Sequence, residues 1–168
     1  MIYVYNCYGG THSSVLAIAY HLKMLDETKE PTEDEILKLP NFNKLVYGQR
    51  GELYYHGIDE DGNQVYTIAR GNSKILIPGF YNFATMLHMQ KVLNERIIFS
   101  NTSPTVPLAM TFGGLFSRLL KIDSIGVPLL VKGAKKSYKN IIELVNHTKK
   151  AAKGTKLEII ILDNKEFK

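Results

Sequence analysis

Residues 6–14 read Asn6, Cys7, Tyr8, Gly9, Gly10, Thr11, His12, Ser13 and Ser14. A thiol, an imidazole, three aliphatic hydroxyls and two adjacent glycines lie within nine residues. Glycine lets the backbone adopt turns closed to other residues and brings main-chain amides close to a ligand. If a helix follows, its first amides and its dipole favour an anion, and the hydroxyls add donors. This is the chemistry of phosphate recognition. His12 could serve as acid, base or phosphate donor near neutral pH, or it could hydrogen-bond a carbonyl and shape the turn. Cys7 reads either as a thiolate stabilised at a helix start or as a small buried apolar side chain.

Two known loops set limits on that chemistry. In the Walker A pattern, Asn6 and Thr11 would stand at the glycines, His12 at the lysine and Ser13 at the serine or threonine. Only Ser13 fits, and without the lysine no charge reaches the terminal phosphates. The tyrosine-phosphatase loop needs an arginine where this chain has Ser13. A second cluster supplies the missing groups: Asn101 ends an apolar run, and Ser117 and Arg118 follow Gly113 and Gly114. The two glycines also fit a close helix contact. The expected ligand-binding set is therefore Asn6, Cys7, Tyr8, Gly9, Gly10, Thr11, His12, Ser13, Ser14, Asn101, Ser117 and Arg118, with His12 and Cys7 as the catalytic candidates. No cysteine pair or close histidine spacing matches a zinc site, and no motif specifies a cofactor. His21, His56 and His88 read as satisfied core or boundary side chains.

The elements that must position this loop follow from periodicity. Residues 2–5 are a β-prone run, and apolar residues at 15, 18, 19, 22 and 25 mark one face of a helix, capped by Thr11, Ser13 or Ser14. A short helix with acids in its first turn spans about 31–40. Residues 53–58 and 64–69 flank an Asp-Gly turn, a hairpin signal. Strands are expected at 74–77, 96–101, 127–131 and 157–162. Helices are expected at 80–93 and 106–120 and over a long stretch around 138–152. This alternation predicts one α/β domain over residues 1–168. It is a three-layer, mostly parallel sheet with helices on both faces, Rossmann-like or P-loop-like, with an antiparallel β-hairpin inserted at about 52–70.

Composition narrows the function classes. The 168 residues are 45% hydrophobic and 22% charged, ordinary for a globular chain. No apolar run reaches the roughly 18 residues of a membrane span, and no signal peptide opens the chain. One cysteine cannot pair internally, which predicts a cytoplasmic protein. The net charge of +5 is unevenly placed: in the last 37 residues ten lysines face four acids, a local +6, and the remaining 131 residues sum to −1. A solvated lysine face explains this, and the lack of arginine there argues against nucleic acid.

The stretches "MIYVYNCYGGTHSSVLAIAYHL", "GIDEDGNQVYTIARGNSK" and "GGLFSRLLKIDSIGVPLLVKGAKKSYKNIIELV" together resemble a bacterial family catalogued as domain of unknown function 3189, found mostly in spore-forming Gram-positive bacteria. The resemblance covers nearly the whole chain and implies no activity, substrate or catalytic residue. That pattern is expected to carry a histidine before the cysteine. This chain has Asn6 there, and if the histidine is chemical, this member binds without catalysing.

Three functions remain in view. The first is binding of a phosphorylated small molecule, a nucleotide or nucleotide-derived signal, with Tyr5, Tyr8, Tyr54, Tyr55, Tyr66 and Tyr81 as a stacking wall. The second is a phosphotransferase or phosphohydrolase that uses His12 or Cys7. The third is a protein-interaction module built on the lysine-rich helix and the hairpin. A homo-oligomer through the hairpin is compatible with each.

Overall fold

Alternation along the first strand sends Tyr3 and Tyr5 to one face of a sheet and Val4 to the other, all three buried. Each face then needs its own cover. The computed structural model describes residues 1–45 and 47–168. Its elements are β1 (Ile2–Cys7), α1 (Ser13–His21), α2 (Glu33–Leu37), β2 (Leu53–Ile58), β3 (Gln64–Ala69), α3 (Leu76–Met89), β4 (Ile97–Asn101), α4 (Leu108–Gly114), α5 (Asp123–Gly154) and β5 (Ile159–Leu162). A π-helical turn, Leu115–Leu119, extends α4.

The sheet order is β2-β3-β1-β4-β5. β1 runs parallel to β3 and β4, β4 runs parallel to β5, and β2 alone is antiparallel. Tyr3, Tyr5, Val65 and Ile98 pack under α1, α2, α4 and α5, while Val4, Ile68 and Phe99 pack under Ile77 and Ala84 of α3. The chain therefore leaves β1 toward one face and β3 toward the other. A crevice opens where such connections diverge, beyond the carboxyl ends of the strands. Among the described residues, no helix is long and apolar enough to cross a membrane.

The antiparallel hairpin at 52–70 is present as β2 and β3, and β3 also joins the sheet by pairing with β1 along its whole length, from Ile2 with Gln64 to Cys7 with Ala69. Three expectations need correction. Residues 74–77 are the entry to α3, not a strand. The Ser73 hydroxyl accepts the Leu76 amide at 3.0 Å, and Pro78 falls in the first turn, where no amide proton is needed. Residues 127–131 lie inside α5, because an apolar run of five serves a buried helix face as well as a strand. Leu130 and Val131 are buried there, between Gly126 and Gly133. A Cβ on Gly126 would stand 2.5 Å from the Ser117 amide, one on Gly133 2.7 Å from that of Met110, and one on Gly113 2.7 Å from that of Leu130. Three glycines thus let α4 and its π turn lie directly on α5. Finally, α1 is preceded by His12 without any side-chain cap, because the hydroxyls of Thr11, Ser13 and Ser14 are engaged elsewhere.

Candidate functional site

The first strand ends on Cys7, and the loop that follows is closed by its sulfur. The Gly10 amide donates to Sγ at 3.1 Å, and the Ser14 hydroxyl lies 3.3 Å from it. Gly10 has φ +64°, and a Cβ there would stand 2.8 Å from the Ala69 amide nitrogen. Only glycine satisfies both conditions. The three hydroxyls expected to meet a ligand are each hydrogen-bonded within the fold. Thr11 Oγ1 donates to the Asn41 carbonyl at 2.5 Å and accepts the Lys44 amide at 3.0 Å. Ser13 Oγ lies 2.9 Å from Thr102 Oγ1, which itself donates to the Asn6 carbonyl at 3.1 Å, so Ser13 is the donor of the first bond. Ser14 is wholly buried beside Cys7. The loop's main chain is less engaged: among the described residues, the amides of Gly9, Thr11, His12, Ser13 and Ser14 have no acceptor. An α-helix leaves its first amides unpaired, and here no side chain caps them.

His12 sits at the end of a directional chain. Its Nε2 lies 3.1 Å from Asn43 Oδ1, Asn43 Nδ2 donates to Ser117 Oγ at 2.7 Å, and the Ser117 hydroxyl donates to the Asp123 carboxylate. A carboxylate only accepts. Ser117 must therefore donate to it, Asn43 must donate to Ser117, and the Asn43 oxygen must accept from His12. The proton is on Nε2 and Nδ1 keeps its lone pair, on the side of Gly114, where a Cβ would come within 3.6 Å. Burial pushes the His12 pKa down to about 4, against the Asn43 bond and with the help of the Arg118 charge. The ring is neutral at pH 7 and meets Phe42 edge-on at 5.7 Å.

Loop and imidazole face a cavity of 470 Å³. Cys7, Tyr8, Gly9, Thr11, His12 and Ser13 form one side, and the segment after β4 forms the other through Val106, Met110, Leu115 and Leu119. Two cations reach it. Arg118 lines the cavity, but its fork donates to the carbonyls of Asn43 at 2.9 Å, Lys44 at 3.3 Å and Leu45 at 2.7 Å. It fastens the 43–45 segment to the π turn, and its buried Nε has no partner among the described residues. Arg50, unremarked in the sequence, also lines the cavity, with its guanidinium 4.8 Å from the Tyr8 ring centre.

The other expected residues fall outside. Asn101 accepts the Ser103 amide at 3.0 Å and donates to the Asp163 carbonyl at 3.3 Å, which anchors the end of β4 away from the cavity wall. Asn6 is buried and contributes its carbonyl to Thr102. Ser117 acts through the chain to His12 rather than by lining the cavity. Among the six tyrosines named as a stacking wall, only Tyr8 lines it. Tyr5 is in the core, and Tyr55 packs on Tyr66 in the hairpin at 5.3 Å.

The remaining histidines are satisfied within the fold. His21 lies between the Tyr5 hydroxyl at 2.7 Å and Asp59 Oδ2 at 3.0 Å. Burial holds its pKa down to about 4 despite the Asp59 bond. Burial works against ionising Asp59, yet bonds from His21 and Asn63 outweigh it and bring that pKa to about 2. His56 bonds Thr67 at 3.0 Å, and His88 bonds the Glu95 carbonyl at 2.7 Å.

Comparison with known proteins adds one finding. No curated protein and no solved structure matches the chain. A family model described as protein of unknown function (DUF3189) matches residues 2–150, a span that holds the Cys7 loop, the Asn43 segment and the π turn with Arg118. By that match the chain belongs to the DUF3189 family.

Proposed function

We propose that this protein binds a phosphorylated small molecule in the cavity beyond β1, with the phosphoryl group against the 7–14 loop. The observation that carries the reading is the set of loop amides at the start of α1 without acceptors among the described residues, four of which, on Gly9, Thr11, His12 and Ser13, belong to residues that line the cavity of 470 Å³. Such a cradle favours negative charge through both its N–H groups and the helix dipole. Arg50 adds a cation at the same wall. The cavity lies within the usual range of about 300–1,000 Å³ for small-molecule sites. Its place beyond the carboxyl ends of parallel strands is that of ligands in Rossmann-like and P-loop-like sheets, and supports the reading by analogy of architecture alone.

The test is a melting-temperature panel of inorganic phosphate, sugar phosphates and nucleotides with wild-type protein and Arg50→Gln. A ligand at a hundred times its Kd adds about 2.7 kcal/mol of stability. A phosphorylated compound that raises the melting temperature of wild type, and raises that of Arg50→Gln less, supports the reading. A flat panel with both proteins refutes it.

One observation favours a second reading, phosphoryl transfer by Cys7. Cys7 lines the cavity, and its sulfur accepts the Gly10 N–H and lies beside the Ser14 hydroxyl. In that reaction the thiolate attacks phosphorus. The S–P bond forms as the bond to the leaving oxygen breaks, and that oxygen departs with the electron pair. Intact-mass analysis after incubation with a reactive phosphoryl donor would show the adduct on wild type and not on Cys7→Ser.

A further inference from the structure

The two walls of the cavity differ in kind. Opposite the polar loop stand Val106, Met110, Leu115 and Leu119, joined by Leu45. The apolar side chains also continue out of the cavity. Leu108, Phe112, Leu115 and Leu119 recur at steps of four, three and four, one stripe along α4 and its π turn. They are 76%, 50%, 40% and 55% exposed. A contiguous apolar stripe on water marks a surface that something covers. Leu115 and Leu119 belong to both stripe and wall, so the stripe is the outward extension of the cavity. The π turn that presents them is the kind of helix irregularity found at functional sites.

A nucleoside fits this wall poorly. Among the described lining residues the one aromatic besides His12 is Tyr8, over whose ring the Arg50 guanidinium already lies. Among the described residues, no asparagine, glutamine, aspartate or glutamate lines the cavity to read the edge of a base. Aliphatic side chains recognise aliphatic groups by area alone.

On the phosphate-binding reading above, we propose that the ligand is an aliphatic phosphate: an alkyl or isoprenyl chain lies against Met110, Leu115 and Leu119 while its head group meets the 7–14 loop. The chain follows this wall out of the cavity onto the exposed stripe of Phe112 and Leu108. Covering this stripe removes it from water.

The test is calorimetric titration of the intact protein with inorganic phosphate, AMP, the n-alkyl phosphates from ethyl to decyl below their micelle concentrations, and the n-alkyl alcohols of equal length. Each added methylene is expected to tighten binding roughly fourfold, the equivalent of about 0.8 kcal/mol, until the chain has passed Leu119. Leu119→Asn flattens that dependence. Met89→Asn, at a residue 77% exposed on α3, leaves it intact. If phosphate binds but affinity is flat along the series, or AMP binds more tightly than octyl phosphate, the aliphatic assignment is overturned and the phosphate reading stands. If Met89→Asn flattens the series as much as Leu119→Asn, the chains adsorb to surface apolar residues and the assignment is again overturned. If nothing binds, or alkyl phosphates bind no better than alcohols of equal length, the phosphate reading fails and this one falls with it.

Discussion

The Asp123 carboxylate and the His12 imidazole stand at opposite ends of one hydrogen-bond chain that runs through Ser117 and Asn43. Because the carboxylate only accepts, every bond in the chain has one direction, and the Nδ1 lone pair of His12 is the result. Asp123 sits in the first turn of α5 and His12 just before α1, so the chain ties together the starts of two helices that pack on the same face of the sheet.

Ser117→Ala cuts that chain at its centre. The tautomer of His12 is then free to change, since nothing orders the Asn43 amide. Nitrogen-15 chemical shifts of the imidazole are expected to report a pure Nε2–H form in the wild type and a mixture in the variant. Loss of the bond leaves the half-buried Asn43 donor without its protein partner and costs about 1 kcal/mol by denaturant titration.

The buried histidines make stability depend on acid. His12 and His21 bind a proton only near pH 4 when folded but near pH 6.5 when unfolded. Between those values the unfolded chain holds more protons, so stability is full above about pH 6.5 and falls as the pH drops toward 4. Asp59, whose folded pKa is about 2, keeps its contribution through that window and loses it only below. Stability should fall on acidification across this range by an amount on the order of a few kcal/mol, read as a falling melting temperature. His12→Gln should make the slope shallower. An unchanged melting temperature between pH 6.5 and 4.5 would contradict the assignment.

Gly10→Ala tests the loop's closure. The new Cβ meets the Ala69 backbone and sits on a residue at φ +64°. The left-handed conformation alone costs about 1–2 kcal/mol for a non-glycine residue, and the clash adds to it. The expected result is a lower denaturation midpoint, together with faster reaction of the buried Cys7 with a thiol reagent as the loop that covers its sulfur opens.

Gly126→Ala or Gly133→Ala tests the contact between α4, its π turn and α5. Each adds a methyl group within 2.8 Å of the backbone of the facing element. Overpacking of this kind costs about 1–3 kcal/mol. Gly62→Ala, at a turn position with open space around it, should lose only what its φ of +80° imposes. Equal losses in all three would sink the close-packing account.

The sequence by itself determined the local signals. The apolar residues at 2–5 and at the helical spacing from 15 onward place the loop between strand and helix, and the Asp-Gly turn specifies the hairpin. The glycines at 9 and 10 mark the tight turn that the Cys7 sulfur closes. These depend on contacts within a few residues, where type and spacing decide the conformation. Tertiary structure decided the rest. The run at 127–131 satisfies strand and helix alike, and the fit of Gly126 and Gly133 against Ser117 and Met110 makes it helix. The Thr11, Ser13 and Ser14 hydroxyls have ligand chemistry in isolation, yet partners that include Asn41 and Thr102 hold two of them, and Cys7 holds the third. Asn43 and Asp123 have nothing in their neighbours to distinguish them, and they matter because folding brings them together across 74 and 6 residues of separation from Ser117. The wall of Val106, Met110, Leu115 and Leu119 likewise takes its meaning from what it faces. Spacing along the chain encodes which way a side chain points on its own element, but only packing decides what stands opposite.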